Sequence, residues 1–294
     1  MQIKRIKEIH VDAKGVDCVC LSQGRGPLVL MVHGFPDIPQ TWSEQMNALS
    51  AAGYHVVAPY LPGYFPSLHR EQTFFDKASL VHFFSKLIEA LSPSEKVYFV
   101  GQDWGAIIGY ALSAARPDLL RSSVLMAVPH PDVVANYLLV PKHIHRSFHW
   151  WFFQQKELPE KALLANDMAL IDYLWEYWTT PGYRDVDHVR EIKQYLQHEG
   201  VLSNALAYYR AMFNHELADP ALKTLREQLL QKIALPTLAL CGADDMRAEL
   251  MREQAEYFTG VYEYLEIPEA GHFLHREQSQ TINQALIEWL AKTF

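Results

Sequence analysis

The chain has 294 residues, 49% of them hydrophobic, enough for one large core or for a core carrying an inserted lobe. Its formal net charge is -8, and its 26 basic residues are scattered without the Lys/Arg block that tracks phosphates, which argues against nucleic acid as a partner. The opening "MQIKRIKEIHVDAKG" lacks the apolar stretch of a signal peptide, and no run of about 18 apolar residues follows that would span a bilayer, so the expectation is a cytoplasmic protein without a membrane partner.

Taken in chain order, Cys18 and Cys20 lie two apart in a strand-like segment and Cys241 is distant, which is neither a disulfide framework nor a metal spacing; all three read as buried thiols. The apolar runs "PLVLMVHG" (27–34), "YHVVAPY" (54–60), "KVYFVG" (96–101) and "SVLMAV" (123–128) end in turn signals and alternate with helical patterns. From about Pro131 the rhythm changes: helical periodicity dominates and aromatics crowd into "SFHWWFF" and "YLWEYW". Strands resume with "PTLALCG" (236–242) and "VYEYLEIP" (261–268), before an amphipathic helix near 277–292. Continuous apolar strands separated by helices predict a parallel α/β sheet covered on both faces. The predicted organisation is a core of residues 1–130 and 227–294 with a helical cap, 131–226, inserted in it. Neither an internal repeat nor a low-complexity tract is evident.

"VGQDWGA" (100–106) follows one buried strand and opens a helix. The central residue of such a strand-turn-helix is forced into a strained backbone, while Gly101 and Gly105 let strand and helix pass closely beneath it. Asp103 then stands at the carboxyl edge of the sheet, where open α/β folds place their ligands. Aspartate is also a preferred helix cap, and the turn alone leaves both roles open. Upstream, "HGFPD" (33–37) closes another buried strand, so the backbone N–H groups of Phe35 and Trp104 would form an oxyanion hole if the two strands are neighbours. "LALCGADDM" puts Asp244 and Asp245 at a strand end, and "EAGHFLHRE" puts His272 in a loop after the next strand. Nucleophile, acid and histidine follow in the chain order in which this architecture delivers a triad.

With these pieces the chain resembles the α/β-hydrolase superfamily, and within it the branch of epoxide hydrolases and haloalkane dehalogenases, whose nucleophile is the aspartate of a G-x-D-W-G turn. The resemblance implies the α/β-hydrolase fold: a mostly parallel eight-stranded sheet flanked by helices, with an inserted α-helical cap. Its G-x-x-D pattern, counted from Gly242, favours Asp245 over Asp244 as the acid. Relatives that carry the acid after the preceding sheet strand have it where this chain has Ala127. A Tyr-Arg pair in the family's lid matches "AYYRAMF" and points to Tyr209, with Tyr208 as the adjacent rival. The family's second lid tyrosine, before a Phe-Gln element, falls on His149, a departure shared with a minority of bacterial epoxide hydrolases. Trp150, Tyr208 and Pro36 complete the expected substrate pocket.

A carboxylate is a weak acyl nucleophile but displaces a good leaving group at saturated carbon, leaving an alkyl ester whose carboxyl carbon water must then attack. His272, oriented by Asp245, would take the proton from that water, and the Phe35 and Trp104 amides would hold the oxyanion. Ester hydrolysis by this turn would need serine or cysteine at 103. Epoxide opening needs a proton donor for the leaving oxygen, which His149 and Tyr209 would supply. Halide release is the alternative, but the dehalogenases usually have asparagine where Phe35 stands. Fluoroacetate dehalogenases share the His149, Trp150 and Tyr209 trio yet grip the substrate carboxylate with arginines where Trp104 and Ile107 stand here. The third alternative is a non-catalytic small-molecule receptor on the same fold. The leading expectation is an epoxide hydrolase with a small hydrophobic substrate and no metal or cofactor, and with a homodimer left open.

Overall fold

The computed structural model describes residues 5–13, 15–65 and 74–293; of the N-terminal stretch 1–15, residues 1–4 and 14 lie outside it. Among the described residues eight strands form one sheet: β1 (Lys7–Asp12), β2 (Asp17–Gly24), β3 (Leu28–Val32), β4 (His55–Pro59), β5 (Val97–Gln102), β6 (Leu120–Met126), β7 (Thr237–Gly242) and β8 (Tyr262–Ile267). Their order is β1-β2-β4-β3-β5-β6-β7-β8. Both partners of β2 pair with it antiparallel, and every other neighbouring pair is parallel. β3 and β5 are adjacent, with Val32 opposite Gly101, so the ends of "HGFPD" and "GQDWGA" come together.

The helices of the core are α1 (Ser43–Ala51), α2 (Lys77–Leu91) and α3 (Trp104–Ala115). Between β6 and β7 run α4 (Pro131–Tyr137), α5 (Pro141–Arg146), α6 (Phe148–Phe152), α7 (Leu158–Leu164), α8 (Ala169–Trp178), α9 (Val186–Leu196), α10 (Val201–Phe213) and α11 (Lys223–Gln228). α12 (Ala248–Met251) follows β7, and α13 (Leu274–Glu277) and α14 (Ser279–Lys292) close the chain.

Alternate residues of the central strands serve opposite faces, because side chains along a strand alternate with period two. Val29, Met31, Tyr98 and Val100 pack with Met46 and Leu49 of α1 and with Leu286 and Leu290 of α14. Leu28, Leu30, Val97 and Phe99 pack with Leu80 and Phe84 of α2 and Ile108 and Leu112 of α3. That second cluster continues into Trp150, Phe153, Leu174, Trp175, Tyr208 and Tyr209, so the helices between β6 and β7 share one apolar interior with the sheet. All three cysteines are buried and free.

Candidate active site

β5 delivers Asp103 in a turn that only close backbone packing permits. Its φ is +53°, a left-handed conformation that costs a non-glycine residue energy and is found where a fold over-determines it. A Cβ on Gly105 would lie 1.9 Å from the Val32 carbonyl oxygen, so helix and strand cross there only without a side chain. The Asp103 side chain makes no capping hydrogen bond to α3. It faces the loop after β3, where the Phe35 N–H donates to Oδ1 at 2.9 Å. Gly34 makes this approach possible: a Cβ there would lie 2.3 Å from Asp103 Oδ1. Trp104 opens α3, so its N–H has no partner within the helix.

The other carboxylate oxygen, Oδ2, lies 3.3 Å from His272 Nε2, and His272 Nδ1 lies 2.9 Å from Asp245 Oδ2. Asp245 follows β7 and is buried, with Oδ1 accepting from the Arg247 backbone N–H at 2.7 Å. Asp244 turns outward and bonds the Thr180 hydroxyl. The His272 loop is fixed by three contacts: the Gln102 amide on its carbonyl at 3.1 Å, its own N–H on the Trp178 carbonyl at 2.7 Å, and Glu277. The Glu277 carboxylate accepts from the Thr180, Gly271 and Phe273 N–H groups at 2.7, 2.9 and 3.0 Å. Burial works against a charged His272, but the Asp245 charge and the hydrogen bonds to Asp103 and Asp245 prevail and raise its pKa to about 9.

Aromatic rings from the helices opposite close the site. Tyr209 lies 5.1 Å from Trp104 and 5.7 Å from Phe35, ring centre to ring centre, and His149 lies 5.8 Å from Tyr209 and 4.8 Å from Trp178. Burial first, and the Asp103 charge second, push the Tyr209 phenol well above its ordinary range, so it keeps its proton. Burial and then the Arg247 and His272 charges hold His149 well below the usual imidazole range, so it is neutral and acts through a single N–H. Its Nδ1 is buried without a hydrogen-bond partner among the described residues. Tyr208, adjacent in sequence, points elsewhere and donates to the Pro62 carbonyl at 2.6 Å.

Trp104, Ile107, Val128, Trp150, Tyr208 and Met212 belong to the wall of a cavity of about 370 Å³ beside the first turn of α3. Pro36 stands apart from it, with its carbonyl accepting from the Trp175 indole N–H at 3.0 Å. Residues that the sequence reading left without a role include Glu277, Arg247, Trp175 and His188. Arg247 is buried, stacks over Trp150 with 4.3 Å to the ring centre, and donates to the Ser147 hydroxyl at 2.9 Å. No local pattern marks Arg247, Trp175 and His188, because their side-chain partners Ser147, Pro36 and Asp37 are distant in sequence, and Glu277 joins the nearby Gly271 and Phe273 to the distant Thr180. Among the described residues no group of three or more His, Cys, Asp or Glu side chains is placed to hold a metal ion, and no helix is long and apolar enough to cross a membrane.

Residues 27–278 match the alpha/beta hydrolase fold family. The chain is 26% identical over 293 residues to the AB hydrolase superfamily protein YfhM of Bacillus subtilis, covering 97% of this chain and 98% of that protein. It is 26% identical over 275 residues to epoxide hydrolase 4 of Homo sapiens, covering 90% and 72% of the two chains. The crystal structure of epoxide hydrolase A from Mycobacterium thermoresistibile superposes with a TM-score of 0.80 at 24% identity, covering 98% of both chains.

Proposed function

The chain belongs to the alpha/beta hydrolase fold family, and from that membership we propose that it is an epoxide hydrolase, opening a small hydrophobic epoxide to a vicinal diol through an alkyl ester on Asp103. The observation that carries this reading is the division of labour around the Asp103 carboxylate, with Oδ1 tied to the Phe35 amide and Oδ2 beside His272. In the reaction we propose, Oδ2 attacks an epoxide carbon, the carbon–oxygen bond breaks, and the leaving oxygen takes a proton from Tyr209, with His149 as a second hydrogen-bond donor. Proton donors that stay uncharged suit an epoxide oxygen, which needs a proton; a halide does not.

Alkylation discharges Asp103 and so removes one of the influences that hold the proton on His272; that proton then passes through solvent to the Tyr209 phenolate. The imidazole becomes a base at the step that needs one, with Asp245 fixing its orientation. Water then adds to the Asp103 carboxyl carbon and passes a proton to His272 Nε2, while negative charge gathers on Oδ1 against the Phe35 and Trp104 amides. Collapse breaks the bond from the carboxyl carbon to Oδ2. The diol leaves with that oxygen and the proton His272 took from the water, and the Asp103 carboxyl proton returns to His272. Every group in this cycle comes from the chain, substrate or water, so the proposal needs no metal or cofactor.

The helices from α4 to α11 act in this reading as the cap that supplies the proton donors, and the cytoplasm is the setting we assign. The apolar cavity beside α3 supports a hydrophobic substituent on the epoxide. A panel of epoxides, haloalkanes and haloacids run against the wild type and Asp103→Asn tests the assignment. Diol from epoxides in the wild type alone is the expected result. Halide release without diol would reassign the protein as a dehalogenase, and ligand-induced stabilisation without any product would make it a receptor.

A further inference from the structure

The loop that carries the Phe35 amide is gripped from the cap side at three consecutive residues. The Phe35 ring packs 5.7 Å from both Phe153 and Tyr209, the Pro36 carbonyl accepts from Trp175 of α8, and Asp37 pairs with His188 of α9. In the last contact His188 Nε2 lies 2.7 Å from Asp37 Oδ1, with the two side chains 3% and 0% exposed. The same oxygen accepts from the Ile38 N–H at 2.8 Å, which ties the carboxylate to its own backbone. Burial alone would neutralise Asp37, but the His188 charge and hydrogen bond, with His275 and Arg276 behind them, hold its pKa below the ordinary carboxylate value. Replacing a buried polar pair by apolar packing is often neutral or stabilising, so its place here points to geometry rather than to stability.

We propose that His188 is a positioning residue for the oxyanion amide: through Asp37 it fixes the loop so that the Phe35 N–H stays on Asp103 Oδ1 while the alkyl ester is hydrolysed. This rests on Asp103 being the nucleophile, as proposed above. The two chemical steps load the amide with opposite signs. Alkylation drains negative charge from the Asp103 carboxylate, so a well-placed donor on Oδ1 stabilises the resting enzyme more than that transition state. Hydrolysis gathers charge on Oδ1, so the same donor lowers that barrier. Loosening the loop therefore slows hydrolysis while leaving alkylation unchanged or faster, whereas general damage to the site would slow both.

His188→Leu, His188→Gln and Asp37→Asn are compared with the wild type by amide exchange of Phe35 in NMR and by single-turnover kinetics on a reactive epoxide. In His188→Leu the Phe35 amide should exchange faster with Val100 of β5 unchanged, and hydrolysis should slow about tenfold with alkylation not slowed. His188→Gln, which keeps a donor, should recover most of the loss; if His188→Leu does not fold, Asp37→Asn takes its place with the same expectation. Unchanged Phe35 exchange, or equal slowing of both steps, would overturn the proposal. A wild type that forms no alkyl ester would overturn the reading of Asp103 instead, and Phe35 exchange would still decide whether His188 holds the loop.

Discussion

The two oxygens of the Asp103 carboxylate meet different surroundings, an amide at Oδ1 and an imidazole at Oδ2, and the residue-scale predictions follow from that asymmetry. In Asp103→Asn the carboxylate charge beside His272 is gone, so an NMR titration should show the His272 pKa falling from about 9. The sign for stability follows from linkage. A histidine whose folded pKa is raised stabilises the fold fully below its unfolded value near 6.5 and loses that contribution as pH rises to about 9. Urea unfolding of the wild type should therefore weaken across that window, and less steeply in Asp103→Asn. His272→Gln should let the alkyl-enzyme accumulate, seen as added mass on the intact protein, and steady-state turnover in that variant would remove His272 as the base. The adjacent tyrosines should separate cleanly. Tyr209→Phe should slow alkylation by about a hundredfold, while Tyr208→Phe should keep that rate and lose about 1 kcal/mol of stability with its bond to the Pro62 carbonyl.

At the scale of elements, the strand-turn-helix from β5 to α3 was the most legible part of the chain, because its glycines and aspartate answer to backbone geometry within a few residues. Gly105→Ala should destabilise the fold by roughly 1–3 kcal/mol in urea unfolding, since its methyl group would meet the Val32 backbone. Unchanged stability would mean that helix and strand part without cost. α10 was legible only in part: its periodicity marks a buried helix, but which of two neighbouring tyrosines faces Asp103 depends on how the helix docks, which no local pattern encodes. β1 alternates Ile9 and Val11 with polar residues but has no continuous apolar run, because it lies at the sheet edge with all six side chains exposed or half-buried. On α10, Met212 lines the apolar cavity. Met212→Trp should lower kcat/KM for epoxides with long aliphatic substituents and spare small ones, and equal loss on both would place the substituent elsewhere.

At the scale of the whole molecule, the proposed catalytic groups come from four strand ends that the sheet order brings to one edge, and the proposed proton donors come from helices between β6 and β7. The strand ends were readable because each carries its own short motif. The contacts that join the two parts were not, since Trp175 with Pro36, His188 with Asp37 and Glu277 with Thr180 each link positions far apart in sequence. Closure of the site thus depends on side chains whose importance appears only after folding. The covalent ester on Asp103 is tested most directly by one single turnover of excess enzyme on an epoxide in heavy-oxygen water. The first diol should carry unlabelled oxygen while the label remains on the Asp103 carboxylate; a first diol bearing the label from water would contradict the covalent ester.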